Sequence, residues 1–86
     1  MKTFDEQINS FLVDKFLVNE ADISDDARFL VELEFDLEEI VQFIREVQTK
    51  FQVNIPLYDI KHVLTIGGMK KYIKQKLEIH NYDYNN

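Results

Sequence analysis

The 86-residue chain has no cysteine and no tryptophan, one proline, two glycines, two histidines and two serines. Without cysteine there are no disulfides, no thiolate metal sites and no thiol nucleophiles. No apolar run approaches the roughly 18 residues that a membrane-spanning helix requires, so no membrane association is expected. The first residues are polar and amphipathic and lack the apolar segment of a secretory signal, which makes the cytoplasm the default location. Basic residues are outnumbered, 10 against 16 acids, for a net charge of −6. That balance argues against nonspecific nucleic-acid binding, which depends on basic groups releasing counterions from phosphate.

Catalytic groupings are also missing. His62 and His80 lie far apart, and neither has a carboxylate at metal-ligand spacing. The acid pairs Asp25-Asp26 and Glu38-Glu39 are adjacent residues, which point about 100° apart on a helix and cannot share one proton task. No catalytic residue and no metal site is expected, and an enzyme is not. Gly67-Gly68 is no phosphate loop, because the Gly-Lys-Ser/Thr ending after a strand is absent.

What is present is a compact apolar fraction of 45% with seven phenylalanines. A chain of this length buries only about 60 to 65% of its unfolded surface, so one modest core must serve the whole domain. The expected organisation is a single domain over 1–79 and a polar, frayed tail over 80–86. Charge is unevenly spread. Ten acids and two arginines lie between Glu20 and Glu46, and five lysines with no acid between Lys61 and Lys76. Such a domain is electrically two-sided, able to steer a basic partner on one side and an acidic one on the other, or to hold the two sides together internally.

The strongest periodic stretch runs from Leu33 to Phe51 (LEFDLEEIVQFIREVQTKF). As a helix it places Leu37, Ile40, Val41, Ile44, Val47 and Phe51 on one face. Asp36 is a natural N-cap with Glu39 as the return partner of a capping box, and Phe35 can staple to Ile40. Earlier, Thr3-Phe4-Asp5-Glu6 opens another helix with Phe4, Ile8, Phe11, Leu12 and Phe16 inward, ending near Val18 or Asn19. Between these lies a long loop from Glu20 to Phe35, pinned by Ile23, Phe29, Leu30 and Leu33. After Pro56, residues 57–64 have room only for a short third helix carrying Tyr58, Ile60 and Val63 or Leu64. Thr65 caps a last helix with Ile66, Met69, Tyr72 or Ile73, and Leu77 inward. Its glycine pair costs about 1 kcal/mol per residue relative to alanine and calls for a packing reason, a close approach of the third and fourth helices.

In order and spacing the chain resembles the acyl carrier proteins. The family's DDASF, LGxDSL, EEEFxxEIP and TVxxxxxYI segments have counterparts here in Asp25-Asp26-Ala27-Arg28-Phe29, Leu33-Glu34-Phe35-Asp36-Leu37, Phe51-Gln52-Val53-Asn54-Ile55-Pro56, and Thr65-Ile66 through Tyr72-Ile73, in register without a gap. The resemblance implies an all-α fold, a four-helix bundle with a long first loop and a short third helix. It also exposes a departure. In carrier proteins the serine of DSL is esterified to phosphopantetheine, and the matching residue here is Leu37, which has no hydroxyl. Ser10 and Ser24 stand elsewhere. By this comparison no phosphopantetheine cofactor is expected.

Leu37 can be read in two ways. It shares a helical face with Ile40, Val41 and Ile44, and apolar residues in phase are usually core, so a core position is expected. The other reading makes it an exposed contact at a docking site. In carrier proteins the second helix presents acids to basic patches on partner enzymes. The matching outward positions here are Glu34, Asp36, Glu38, Glu39, Gln42, Arg45 and Glu46, with Arg45 breaking the acidic pattern. The expected function is therefore a monomeric, non-enzymatic interaction or regulatory module in acyl-chain, polyketide or nonribosomal peptide metabolism, docking on a pathway enzyme with a basic patch. The alternatives are a lipid or acyl-chain binding module and an authentic carrier with its serine replaced.

Overall fold

A computed structural model describes residues 2–85, with side chains as far as Leu77. Three α-helices carry the fold: α1 (Phe4–Phe16), α2 (Leu37–Phe51) and α3 (Ile66–Asn85). Two short 3-10 turns, Glu20–Asp22 and Leu57–His62, interrupt the connections. The all-α bundle with a long first loop is as expected. The third helix of that bundle is the six-residue 3-10 turn over Leu57–His62, with Val63 buried behind it and Tyr58 72% exposed. So short a segment following a proline makes few backbone bonds of its own. The backbone of α3 continues helically past residue 79. The side chains of the tail over 80–86 lie outside the described residues.

Both anticipated capping boxes form. Thr3 accepts from the Glu6 amide at 3.2 Å while the Glu6 carboxylate accepts from Thr3 N–H at 3.0 Å. Asp36 and Glu39 exchange the same pair of bonds at 2.8 and 2.9 Å. Helix α1 stops at Phe16, short of the expected end, because Leu17 turns left-handed (φ 58°). Gln52 ends α2 in the same conformation (φ 55°), and Glu34 adopts it in the loop (φ 56°).

The core centres on Phe43, which the periodicity reading of α2 missed. Ile40, Phe43, Ile44 and Val47 are buried, whereas Val41 and Phe51 are only partly so. The inward face is thus rotated from the expected one toward residue 43. The reason is a group of rings that only tertiary contact assembles. Phe43 meets Phe11, Phe16, Phe29 and Phe35 with centroids 5.2 to 6.5 Å apart. Phe29 and Phe35 come from the long loop and are themselves buried. The tilted and edge-on geometries among these rings suit their quadrupoles.

The loop is fixed to α3 by backbone bonds. Phe29 N–H donates to Leu64 O at 2.9 Å, Ile66 N–H to Ala27 O at 3.0 Å and Gly67 N–H to Asp25 O at 2.9 Å. Thr65 Oγ1 accepts from Gly68 N–H at 3.0 Å. These bonds explain the glycine pair. A Cβ at Gly67 would lie 2.8 Å from Asp25 Cβ, and one at Gly68 would lie 2.9 Å from Thr65 Oγ1 and 3.1 Å from His62 O. The close approach at Gly67 is therefore made by the first loop. The third-helix segment approaches Gly68 alone, through its carbonyl.

Candidate functional site

The N-terminal turn of α2 carries the anticipated site residues. Helix position sets their directions: the buried stripe 40, 43, 44 and 47 leaves 38, 42 and 45 on the outer side. Glu34, Asp36, Glu38, Glu39, Gln42 and Arg45 are exposed. Leu37 is 64% exposed, which overturns the core position expected for it. As the first helical residue it projects beyond the end of the turn, since helical Cβ bonds tilt toward the N-terminus, and Phe35, 5% exposed, fills the adjoining core.

Leu37, Glu38, Val41, Gln42 and Arg45 line one shallow depression. Leu37, Val41 and Arg45 follow at intervals of four, so two apolar side chains run toward a guanidinium, with Glu38 and Gln42 alongside. Leu37, Glu38, Gln42 and Arg45 are the four of the eight anticipated residues that the fold brings together in this depression. The others have internal duties. Asp36 accepts from the Glu39 amide and Glu39 from the Asp36 amide in the capping box. Glu46 is held by Lys15 of α1 at 2.7 Å, and Glu34 sits in a left-handed turn before the helix. Val41 was overlooked as a site residue because it was assigned to the core; its place one turn after Leu37 was the available signal.

Farther back in the loop, Glu32 accepts from Arg28 Nη2 at 2.9 Å, from its Nε at 3.1 Å and from its backbone N–H at 2.7 Å. The side-chain bonds, followed by the backbone one, hold the Glu32 carboxyl at about 2, well below the usual range. The three ion pairs among the described residues are Lys15–Glu46, Arg28–Glu32 and Lys74–Asp5. None of them joins the acids of 20–46 to the lysines of 61–76. On α3, the Tyr72 hydroxyl donates to Asp59, burial and this bond raise the phenol above its ordinary range, and the His62 ring lies parallel to Tyr72 at 6.2 Å. That grouping clamps the 3-10 turn to α3. No group of three metal-ligating side chains occurs among the described residues, and no helix is long and apolar enough to cross a membrane.

No family model matches the chain. It is 29% identical over 77 residues to an acyl carrier protein of Amoebophilus asiaticus, a match covering 90% of this chain and 96% of that protein. It is 26% identical over 74 residues to an acyl carrier protein of Wolinella succinogenes, covering 86% of this chain and 96% of the relative.

Proposed function

We propose that this chain, similar over most of its length to acyl carrier proteins, is a carrier-like docking domain without the phosphopantetheine arm. Its partner is an enzyme of acyl-chain, polyketide or nonribosomal peptide metabolism, and its role there is to scaffold or regulate. The observation that carries this reading is Leu37, exposed at the first position of α2 directly after the capping Asp36. That is where the family's motif places the serine to be modified. Glu34 supports the register, because it takes a left-handed turn (φ 56°) at the glycine position of the same motif. A leucine there offers no nucleophile and does offer an apolar anchor.

The anchor and its charged border divide the work of binding. Burying Leu37 and the exposed part of Val41 in a partner would supply affinity, and Glu38 beside them would steer a basic patch during encounter. Glu39 is a poor probe of docking because reversing its charge also breaks the cap of α2. Glu38→Lys with Gln42→Lys should slow association and flatten its salt dependence while the melting temperature holds.

The names of the relatives favour a second reading, an authentic carrier whose serine is replaced in this sequence. Incubation with coenzyme A and a broad-specificity phosphopantetheinyl transferase tests both. The chain should keep its mass, and a single addition of the arm would refute the armless reading. Leu37→Ser that then accepts the arm and an acyl group would show that only the hydroxyl is missing. A Leu37→Ser chain that stays unmodified would favour a domain dedicated to docking. For the lipid-binding alternative, saturable and chain-length-dependent shifts of core methyl signals with medium-chain fatty acids would be the signature.

A further inference from the structure

Lys70 is the one charged residue among the described residues that is buried, with 8% of its surface exposed. Its ammonium has no carboxylate in the three ion pairs those residues form. A lysine whose stem is packed in this way extends its charged head toward an opening. Here the opening is a depression between the start of α1, the first loop and α3, which Lys70 lines with Asp5, Asp25, Gly67, Lys71 and Lys74. Asp5 is taken by Lys74 at 3.0 Å. That leaves Lys70 and Lys71, outside the ion pairs of the described residues, lining the depression together with Asp25.

We propose that this depression is a binding site for a compact doubly charged oxyanion of the phosphate-monoester class, with Lys70 and Lys71 as its two donors. Lysine binds phosphate as a point charge and needs no fixed fork geometry. The backbone end of α3 is not the donor, because Gly67 N–H is already given to Asp25 O. The positive end of the helix still adds favourable potential over its first turns. Three lysines against two aspartates leave the lining net positive, which attracts a dianion more strongly than a single carboxylate, and the Asp25 carboxylate lowers the affinity of any anion that enters. The site shares no residue with the Leu37 depression, so it does not depend on the docking reading.

The test is a titration of the isotopically labelled full chain with inorganic phosphate at constant ionic strength, following backbone amide signals. Saturable shifts centred on residues 67–75 and on Asp25 are expected, with acetate at equal ionic strength giving none. Phosphoserine in a parallel titration distinguishes an ester from the free ion: tighter binding of the ester identifies a phosphorylated ligand, and equal binding identifies the phosphate group alone. K70M should weaken binding about tenfold or more, the loss of one charge-assisted hydrogen bond. Asp25→Asn should tighten it, and Asp26→Asn, outside the lining, should change it by less than about twofold because exposed charges are screened. Asp25→Asn keeps the test decisive if K70M does not fold. Shifts that never saturate, shifts spread over all lysines, an affinity unmoved by K70M, or an Asp25→Asn chain that binds no tighter would each overturn the site.

Discussion

At the first position of α2 stands Leu37, 64% exposed, and at the first position of α3 stands Ile66, 0% exposed. Each follows a side-chain cap, Asp36 in one case and Thr65 in the other. The difference lies in who satisfies the amides of the first turn. In α2 Asp36 takes the Glu39 amide and Glu39 takes the amide of Asp36 itself, so the acceptors shown at this end come from the capping box and not from a distant segment. In α3 the amides of Ile66 and Gly67 donate to Ala27 and Asp25 of the long loop, so that turn is an internal joint. A helix end that completes its own hydrogen bonding is free to face a partner, and one that borrows acceptors from elsewhere is committed to the fold.

The largest test of this contrast is to remove both apolar side chains. Ile66→Ala should cost about 2 to 5 kcal/mol of unfolding free energy, and Leu37→Ala should stay within about 0.5 kcal/mol of zero, both by chemical denaturation. Equal losses would erase the distinction. Next in size is Gly67→Ala, where helix propensity alone would stabilise by about 1 kcal/mol. The Cβ would meet Asp25 Cβ at 2.8 Å and its carbonyl at 2.9 Å, so a net loss of about 1 to 3 kcal/mol is expected. A stabilised Gly67→Ala would mean that the joint is loose. The two caps come third, with Asp36→Ala and Thr65→Ala each expected to cost about 1 kcal/mol.

The smallest effect is a pH dependence confined to the loop. The Glu32 carboxyl is depressed from the ordinary carboxylate range to about 2 by its bonds to Arg28, so its contribution is complete above the unfolded value and is lost as pH falls through the folded one. Because the pair is exposed, the change in stability should be slight. Carboxyl carbon shifts should show Glu32 titrating well below the ordinary carboxylate range, and Arg28→Gln should raise it toward that range, with the backbone N–H of residue 28 still holding part of the depression.

Local chemistry made much of this molecule legible in advance. Thr3, Asp36 and Thr65 could be named as caps because capping depends on residues three positions apart. Phe43 was not legible, because the direction of a helix face depends on what covers it, and Phe29 and Phe35 arrive from a loop with no period. Leu37 was misjudged for a related reason: helical phase says which side a residue is on, but a first-turn residue can share that side and still overhang the core. The Gly67 approach was assigned to the wrong neighbour, since sequence shows that space is needed and not who fills it. Asp36 and the outward direction of Glu38, Gln42 and Arg45 were accessible from spacing, whereas the engagement of Glu46 with Lys15, 31 residues away, was not.

The bonds that fasten α3 to the loop also bear on the order in which the chain folds. Ile66 and Gly67 find their acceptors about 40 residues upstream, a closure that loses roughly (3/2)RT ln n of chain entropy before any contact offsets it. Helices α1 and α2 can start from their own capping boxes, but the first turn of α3 cannot be secured until residues 25–29 are in place. Hydrogen exchange at the Ile66 and Gly67 amides should consequently follow opening of the whole domain, even though helix ends ordinarily exchange by fraying.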